Sequence, residues 1–96
     1  MTKLLLTPQA ENDLEEIYVY TSLNWGIEQA DRYQDDLYRG IQLILEDHDL
    51  GMEYPFSNFD YRRLHINRHL IFYRIEDDEC RIIRILHDLT NLKQHM

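Results

Sequence analysis

The chain changes its period at Tyr61-Arg62-Arg63-Leu64-His65-Ile66-Asn67-Arg68-His69-Leu70-Ile71-Phe72-Tyr73-Arg74-Ile75. Over Tyr61 to Ile66 the residues alternate. Arg62, Leu64 and Ile66 fall on one face and Tyr61, Arg63 and His65 on the other, the pattern of a half-buried strand. Asn67-Arg68 reads as a tight turn, since Asn tolerates the left-handed backbone such turns often need. His69 to Ile75 is rich in β-formers and reads as the next strand. The acidic turn Glu76-Asp77-Asp78-Glu79 then leads into Cys80 to His87. The second half of the chain therefore predicts a three-strand antiparallel meander.

Upstream of this point the spacing is helical. Thr7 as N-cap, Pro8 at the first helical position and the acids Glu11 and Asp13 near the start make a favourable helix N-terminus. Ala10, Leu14, Ile17, Tyr18, Thr21 and Trp25 form one apolar stripe, with Glu11, Asp13, Glu15 and Glu16 mostly off it. The helix should run to about Asn24, with Gly26 ending it. A second helix is expected from Ile27 to about Asp49, on the stripe Ala30, Tyr33, Leu37, Ile41, Ile44 and Leu45, with Gly51 as its stop. So short a connection makes the pair antiparallel. Gly51 to Asp60, containing Pro55, reads as an irregular connector.

The remaining apolar run, Lys3 to Thr7, is too short for a helix and most simply joins the sheet. These elements predict an α+β fold in the order β-α-α-β-β-β, with a two-helix hairpin on one face of a mainly antiparallel four-stranded sheet. A single domain is expected over residues 1–96, with a thin core, because a chain of this length buries only about 60–65% of the surface its unfolded form exposes. The sheet face away from the helices is where function is expected.

Composition narrows the function. At 44% apolar residues the chain is too hydrophobic for a disordered acidic tail, even at a net charge of −8. Its charge is divided: Gln9 to Asp49 holds eleven acids against Arg32 and Arg39, whereas Ser57 to Met96 holds six acids against six arginines and Lys93. Such a chain should not bind nucleic acid on its own through a basic footprint. The lone Cys80 excludes an internal disulfide, no Cys/His cluster has zinc-ligand spacing, and neither metal nor cofactor is expected. Met1 to Leu6 offers three leucines, far short of a signal peptide or membrane span, so a cytoplasmic protein with no membrane partner is expected.

Two arginines sit inside apolar strands, Arg74 within Ile71 to Ile75 and Arg84 within Arg81 to His87. A buried charge is costly unless paired, so each either meets a carboxylate of the helices or contacts an anion or macromolecule on the exposed sheet face. His87 ends the last strand beside Asp88, where an imidazole can act as acid or base, or simply cap the sheet edge. His65 and His69 with Arg62, Arg63 and Arg68 make the densest basic cluster. Tyr18, Tyr20, Tyr33, Tyr38 and Trp25 are assigned to helix packing, because most fall on the apolar stripes.

Asp13-Leu14-Glu15-Glu16-Ile17-Tyr18-Val19-Tyr20, then Trp25-Gly26 with Gln29-Ala30-Asp31-Arg32-Tyr33, resemble the helical hairpin of ParE-type toxins. Arg63-Leu64-His65, Arg68 to Arg74 and Ile82-Ile83-Arg84-Ile85-Leu86-His87 resemble that family's strands in the same order, so the likeness covers about Leu4 to Asp88. Where the family commonly has a glycine before the Arg-His strand, this chain has Asn67. The resemblance implies the toxin of a type II toxin–antitoxin module in the RelE/ParE superfamily, poisoning DNA gyrase by binding and neutralised by a ParD-like antitoxin. The target-binding residues would then be sought among Arg63, Arg68, Arg74, Arg84 and His87. The RelE branch implies instead a ribosome-dependent messenger RNA endoribonuclease, for which His87, Arg74 and Arg84 would be the catalytic set. A non-toxic interaction module is the third reading.

Overall fold

The computed structural model describes residues 2–53 and 61–89. Its elements are β1 (Lys3–Leu6), α1 (Pro8–Trp25), α2 (Ile27–Glu46), β2 (Met52–Glu53), β3 (Tyr61–Ile66), β4 (His69–Glu76) and β5 (Glu79–His87). They form one five-stranded sheet in the order β1-β5-β4-β3-β2. β1 runs parallel to β5, and every other pair is antiparallel. The expected α+β architecture is present, and the structure adds one strand. Met52 and Glu53 pair with Arg63 and Arg62, so the stretch after α2 is not wholly irregular. Pro55 and the rest of the expected connector lie outside the described residues.

Local chemistry sets the element ends. The Thr7 side chain accepts the Ala10 N–H at 3.0 Å, opening α1 with Pro8 next in line. Gly26 closes it at φ +94° and ψ 162°, a conformation nearly confined to glycine. Asn67 and Asp77 turn the two β-hairpins at φ 52° and 55°, where a short polar side chain is tolerated. α2 stops at Glu46, three residues before the expected Asp49, and Gly51 is not its stop. Gly51 is buried, and a Cβ there would lie 2.7 Å from the Tyr73 ring and 2.8 Å from the Arg63 carbonyl oxygen. That residue is glycine because backbone and ring approach so closely.

The core lies between the helices and one sheet face. Leu14, Leu37, Ile41 and Ile44 pack against Ile71, Tyr73, Ile82 and Ile85, with Leu64 and Ile66 at the margin. Tyr73 is fully buried. Its hydroxyl donates to the His48 carbonyl at 2.9 Å and accepts the Gly51 N–H at 2.8 Å, tying the end of α2 to the sheet. A bulge in β5 completes the layer. Phe72 pairs with Arg84 but Tyr73 with Ile82, so Ile83 is the extra residue and both Ile82 and Ile85 can point into the core.

Two assignments made from periodicity change. Trp25, Tyr20 and Tyr38 do not pack in the core but are 72%, 65% and 49% exposed. Asp13, expected off the buried stripe, is only 6% exposed. No helix among the described residues is long and apolar enough to cross a membrane.

Candidate functional site

Sheet pleating and register sort the candidate residues onto two faces. Arg63 lies opposite Phe72, and Arg74 lies opposite Tyr61 on one side and Arg81 on the other, so these arginines share the face away from the helices. That face is not the open apolar surface expected, because Leu70 and Phe72 on it are each only 7% exposed. Arg74 forms an ion pair with Glu76 at 3.2 Å.

Arg84 does something different. β1 ends at Leu6, and beyond that point the β5 edge is completed by groups from the start of α1. The Thr7 N–H and hydroxyl donate to the Ile82 and Ile83 carbonyls at 3.1 and 2.7 Å. Asp13 then reaches the same edge, accepting Arg84 Nε at 2.8 Å, Arg84 Nη2 at 2.9 Å and the Ile85 N–H at 2.9 Å. Hydrogen bonding to Asp13 raises the Arg84 pKa further. Of the two readings of Arg84, pairing with a helix carboxylate is the one realised.

His87 falls on the helix side of the sheet, directly opposite His69, and not on the face carrying Arg63 and Arg74. The two imidazoles meet edge to face, with ring centres 5.3 Å apart at 81°. Together they floor a groove of about 980 Å³, walled by Ile17, Tyr20 and Trp25 of α1 and by Gln29 and Tyr33 of α2, with Arg68 at its lip. The Tyr33 hydroxyl accepts the Arg68 N–H at 3.1 Å and is hydrogen-bonded to His69 Nδ1. Burial, and then the neighbouring His87, lower the His69 pKa from 6.5 to about 4, so the ring is neutral at physiological pH. His87 Nδ1 accepts the Leu89 N–H at 3.2 Å. Burial works against the Asp88 charge, but the hydrogen bond to His65 and the nearness of His87 outweigh it and hold Asp88 below the usual carboxylate range.

Of the sequence candidates, Arg68, His69 and His87 thus converge on the groove, Arg63 and Arg74 stand on the opposite face, and Arg84 is held by Asp13. Sequence reasoning missed the groove. Tyr33 was placed on a packing stripe, and its hydroxyl gives no signal in periodicity. The arrangement offers an apolar cleft with Glu16 and Arg68 at its rim and two imidazoles in its floor, suited to holding a chain segment.

The architecture is a helical hairpin on one face of a meander whose last strand takes the N-terminal strand in parallel. The model of the ParE toxin family of type II toxin–antitoxin systems, parDE, matches residues 4–92. Toxin ParE1 of Caulobacter vibrioides is 34% identical over 91 residues, covering 95% of this chain and 94% of that one. Toxin ParE1 of Mycobacterium tuberculosis H37Rv is 28% identical over 96 residues, covering 99% and 98%. Among solved structures, a chain of the chromosomal ParDE system of P. aeruginosa superposes with a TM-score of 0.78 at 24% identity, over 91% of this chain and 96% of that one, a likeness of fold. The chain belongs to the ParE toxin family, within the RelE/ParE superfamily, and is the toxin component of a type II toxin–antitoxin system.

Proposed function

We propose that this toxin arrests growth by binding DNA gyrase rather than by cutting RNA, and that a ParD-like antitoxin from the same module neutralises it in the cytoplasm. The observation that carries the binding reading is the separation of Arg74 from His87 on opposite faces of the sheet. Phosphodiester cleavage needs an acid or base and a phosphate clamp converging on one scissile group. Here Arg84 is engaged by Asp13 and the neutral His69 is engaged by Tyr33. A net charge of −8 also opposes docking on ribosomal RNA.

On this reading Arg63 and Arg74 are the first residues to test as gyrase contacts, with Arg68 next. Arg84 and His87 act at most through the fold and the groove. The antitoxin engages the chain with an amphipathic helix along the hairpin or with a strand added to a sheet edge, both common modes of peptide recognition.

Purified toxin at micromolar concentration should inhibit gyrase supercoiling and raise gyrase–DNA cleavage complexes, and co-expressed antitoxin should restore growth. Unchanged supercoiling and cleavage complexes would remove the gyrase reading. If induced cells instead show cleavage of ribosome-bound messages that disappears in His87→Ala, the ribonuclease reading replaces it.

A further inference from the structure

We propose that His69 and His87 form a binding site for one late first-row divalent cation, of the nickel, copper or zinc kind, on the floor of the groove. Strand register brings the pair together. His69 of β4 lies directly opposite His87 of β5, and both are half-buried and line the same groove. Imidazole nitrogen binds such ions at about 2.0–2.1 Å, which sets two rings sharing one tetrahedral ion with their centres roughly 5 Å apart. The centres are 5.3 Å apart here, so the ion requires no movement of either strand. The edge-to-face angle of 81° is relieved by turning His87, whose side chain is 38% exposed, about its broad terminal torsion.

The groups around the rings suit them as ligands. An imidazole that binds a metal through Nε2 carries its proton on Nδ1, and metal-bound histidines commonly direct that proton to an outer partner. His69 Nδ1 already has the Tyr33 hydroxyl. His87 Nδ1 lies 3.4 Å from Asp88 Oδ1, and metal binding exchanges its Leu89 N–H contact for that carboxylate. The fixed charges of Asp88 and Asp13 that act on His69 are both negative, while Glu16 and Arg68 at the rim offset one another. A positive ion therefore enters a favourable field. Its remaining positions fall to water, because among the described residues no third His, Cys, Asp or Glu is placed to join the pair. An open site with two protein ligands binds reversibly, in the micromolar range, and does not hold a structural metal. Cys80 does not compete, since it is buried and burial pushes its thiol up to about 11. The site is independent of which enzyme the toxin poisons.

Trp25 walls the same groove and is the only tryptophan, so a bound paramagnetic ion quenches its emission. The full chain is titrated with Ni2+ while that emission is followed. Mg2+ serves as the comparison, because a hard ion prefers oxygen ligands. Expected is a saturable loss of emission at micromolar Ni2+ with one ion per chain, no loss at millimolar Mg2+, and recovery when excess diamagnetic Zn2+ displaces the nickel. The thermal midpoint should rise with Ni2+ concentration, since the ion binds the folded pair. His69→Asn and His87→Asn should each weaken binding about tenfold or more, and Asp88→Asn, which alters only the outer partner, by less. The double variant His48→Asn/His95→Asn keeps both groove imidazoles and should bind like the wild type. Circular dichroism confirms that each variant is folded. The proposal is overturned if millimolar Ni2+ leaves the emission unchanged, if Mg2+ quenches equally, or if either groove variant binds unchanged. Loss of binding in His48→Asn/His95→Asn would also overturn it.

Discussion

Asp13 and Arg84, 71 positions apart, meet through two hydrogen bonds of 2.8 and 2.9 Å, and the same carboxylate accepts the Ile85 N–H. The Asp13 side chain is 7% exposed and that of Arg84 is 43% exposed. Removing the carboxylate strands a strand-edge N–H, and removing the guanidinium strands a buried negative charge. Breaking a fully buried pair costs 3–5 kcal/mol, and the partial exposure of Arg84 lowers this to roughly 2–3 kcal/mol for Asp13→Ala and about 2 kcal/mol for Arg84→Ala. Urea denaturation of the two variants and of the double variant checks this, and the double variant should lose less than the two single losses combined. A neutral Arg84→Ala would show that the pair is only a surface contact.

Tyr73 and Gly51 make a second link between helix end and sheet. Tyr73→Phe keeps the ring but leaves the Gly51 N–H and the His48 carbonyl without their partner, a loss of about 1–3 kcal/mol. Gly51→Ala drives a methyl into the Tyr73 ring and the Arg63 carbonyl and should cost a similar 1–3 kcal/mol, roughly, from overpacking. Both would lower the thermal midpoint. An unshifted midpoint in Gly51→Ala would mean that the close approach relaxes freely.

Gly26 differs from Gly51 in kind. A Cβ built on Gly26 meets nothing within 4 Å, yet its φ of +94° is one that L side chains rarely adopt. Gly26→Ala should therefore destabilise through the backbone alone, by about 1–3 kcal/mol. Its replacement by a D-alanine in a synthetic chain should be close to neutral. Equal losses for the two enantiomers would refute a purely conformational role.

These positions mark what could be read from the sequence. Thr7-Pro8, Gly26 and Asn67 were legible because a cap, a stop and a turn depend on a few neighbouring residues. The strand period of Tyr61–Ile66 was legible for the same reason. Asp13 was misread because its burial depends on where β1 ends and on a guanidinium 71 positions away, information that no helical wheel contains. Trp25 was misread because three-or-four spacing continues an apolar stripe past the point where the sheet stops covering it. The groove stayed hidden because Tyr33 and His69 come together across 36 positions. Gly51 was misread as a helix stop because the Tyr73 ring it accommodates lies two strands further on.

His69 gives the chain a pH dependence separable from that of its many acids. Its pKa falls from 6.5 to about 4 on folding, through burial and the neighbouring His87, while its Nδ1 is hydrogen-bonded to the Tyr33 hydroxyl. A depressed pKa means that between these two values the unfolded chain binds more protons than the folded one, so stability rises with pH across that interval. The contribution is fully present above about pH 6.5, is lost progressively down to about pH 4, and changes no further below it. Carboxylates titrate in the lower part of the same range, so the wild type alone cannot isolate the effect. His69→Asn keeps an acceptor near the Nδ1 position and removes the titration. Urea denaturation of both proteins at intervals from pH 7 to pH 4 should show the wild type losing stability relative to His69→Asn as the pH falls, with most of the divergence above about pH 5. Parallel curves would mean that the imidazole is protonated in the folded chain as readily as in the unfolded one, and that the groove floor is wetter than its burial implies.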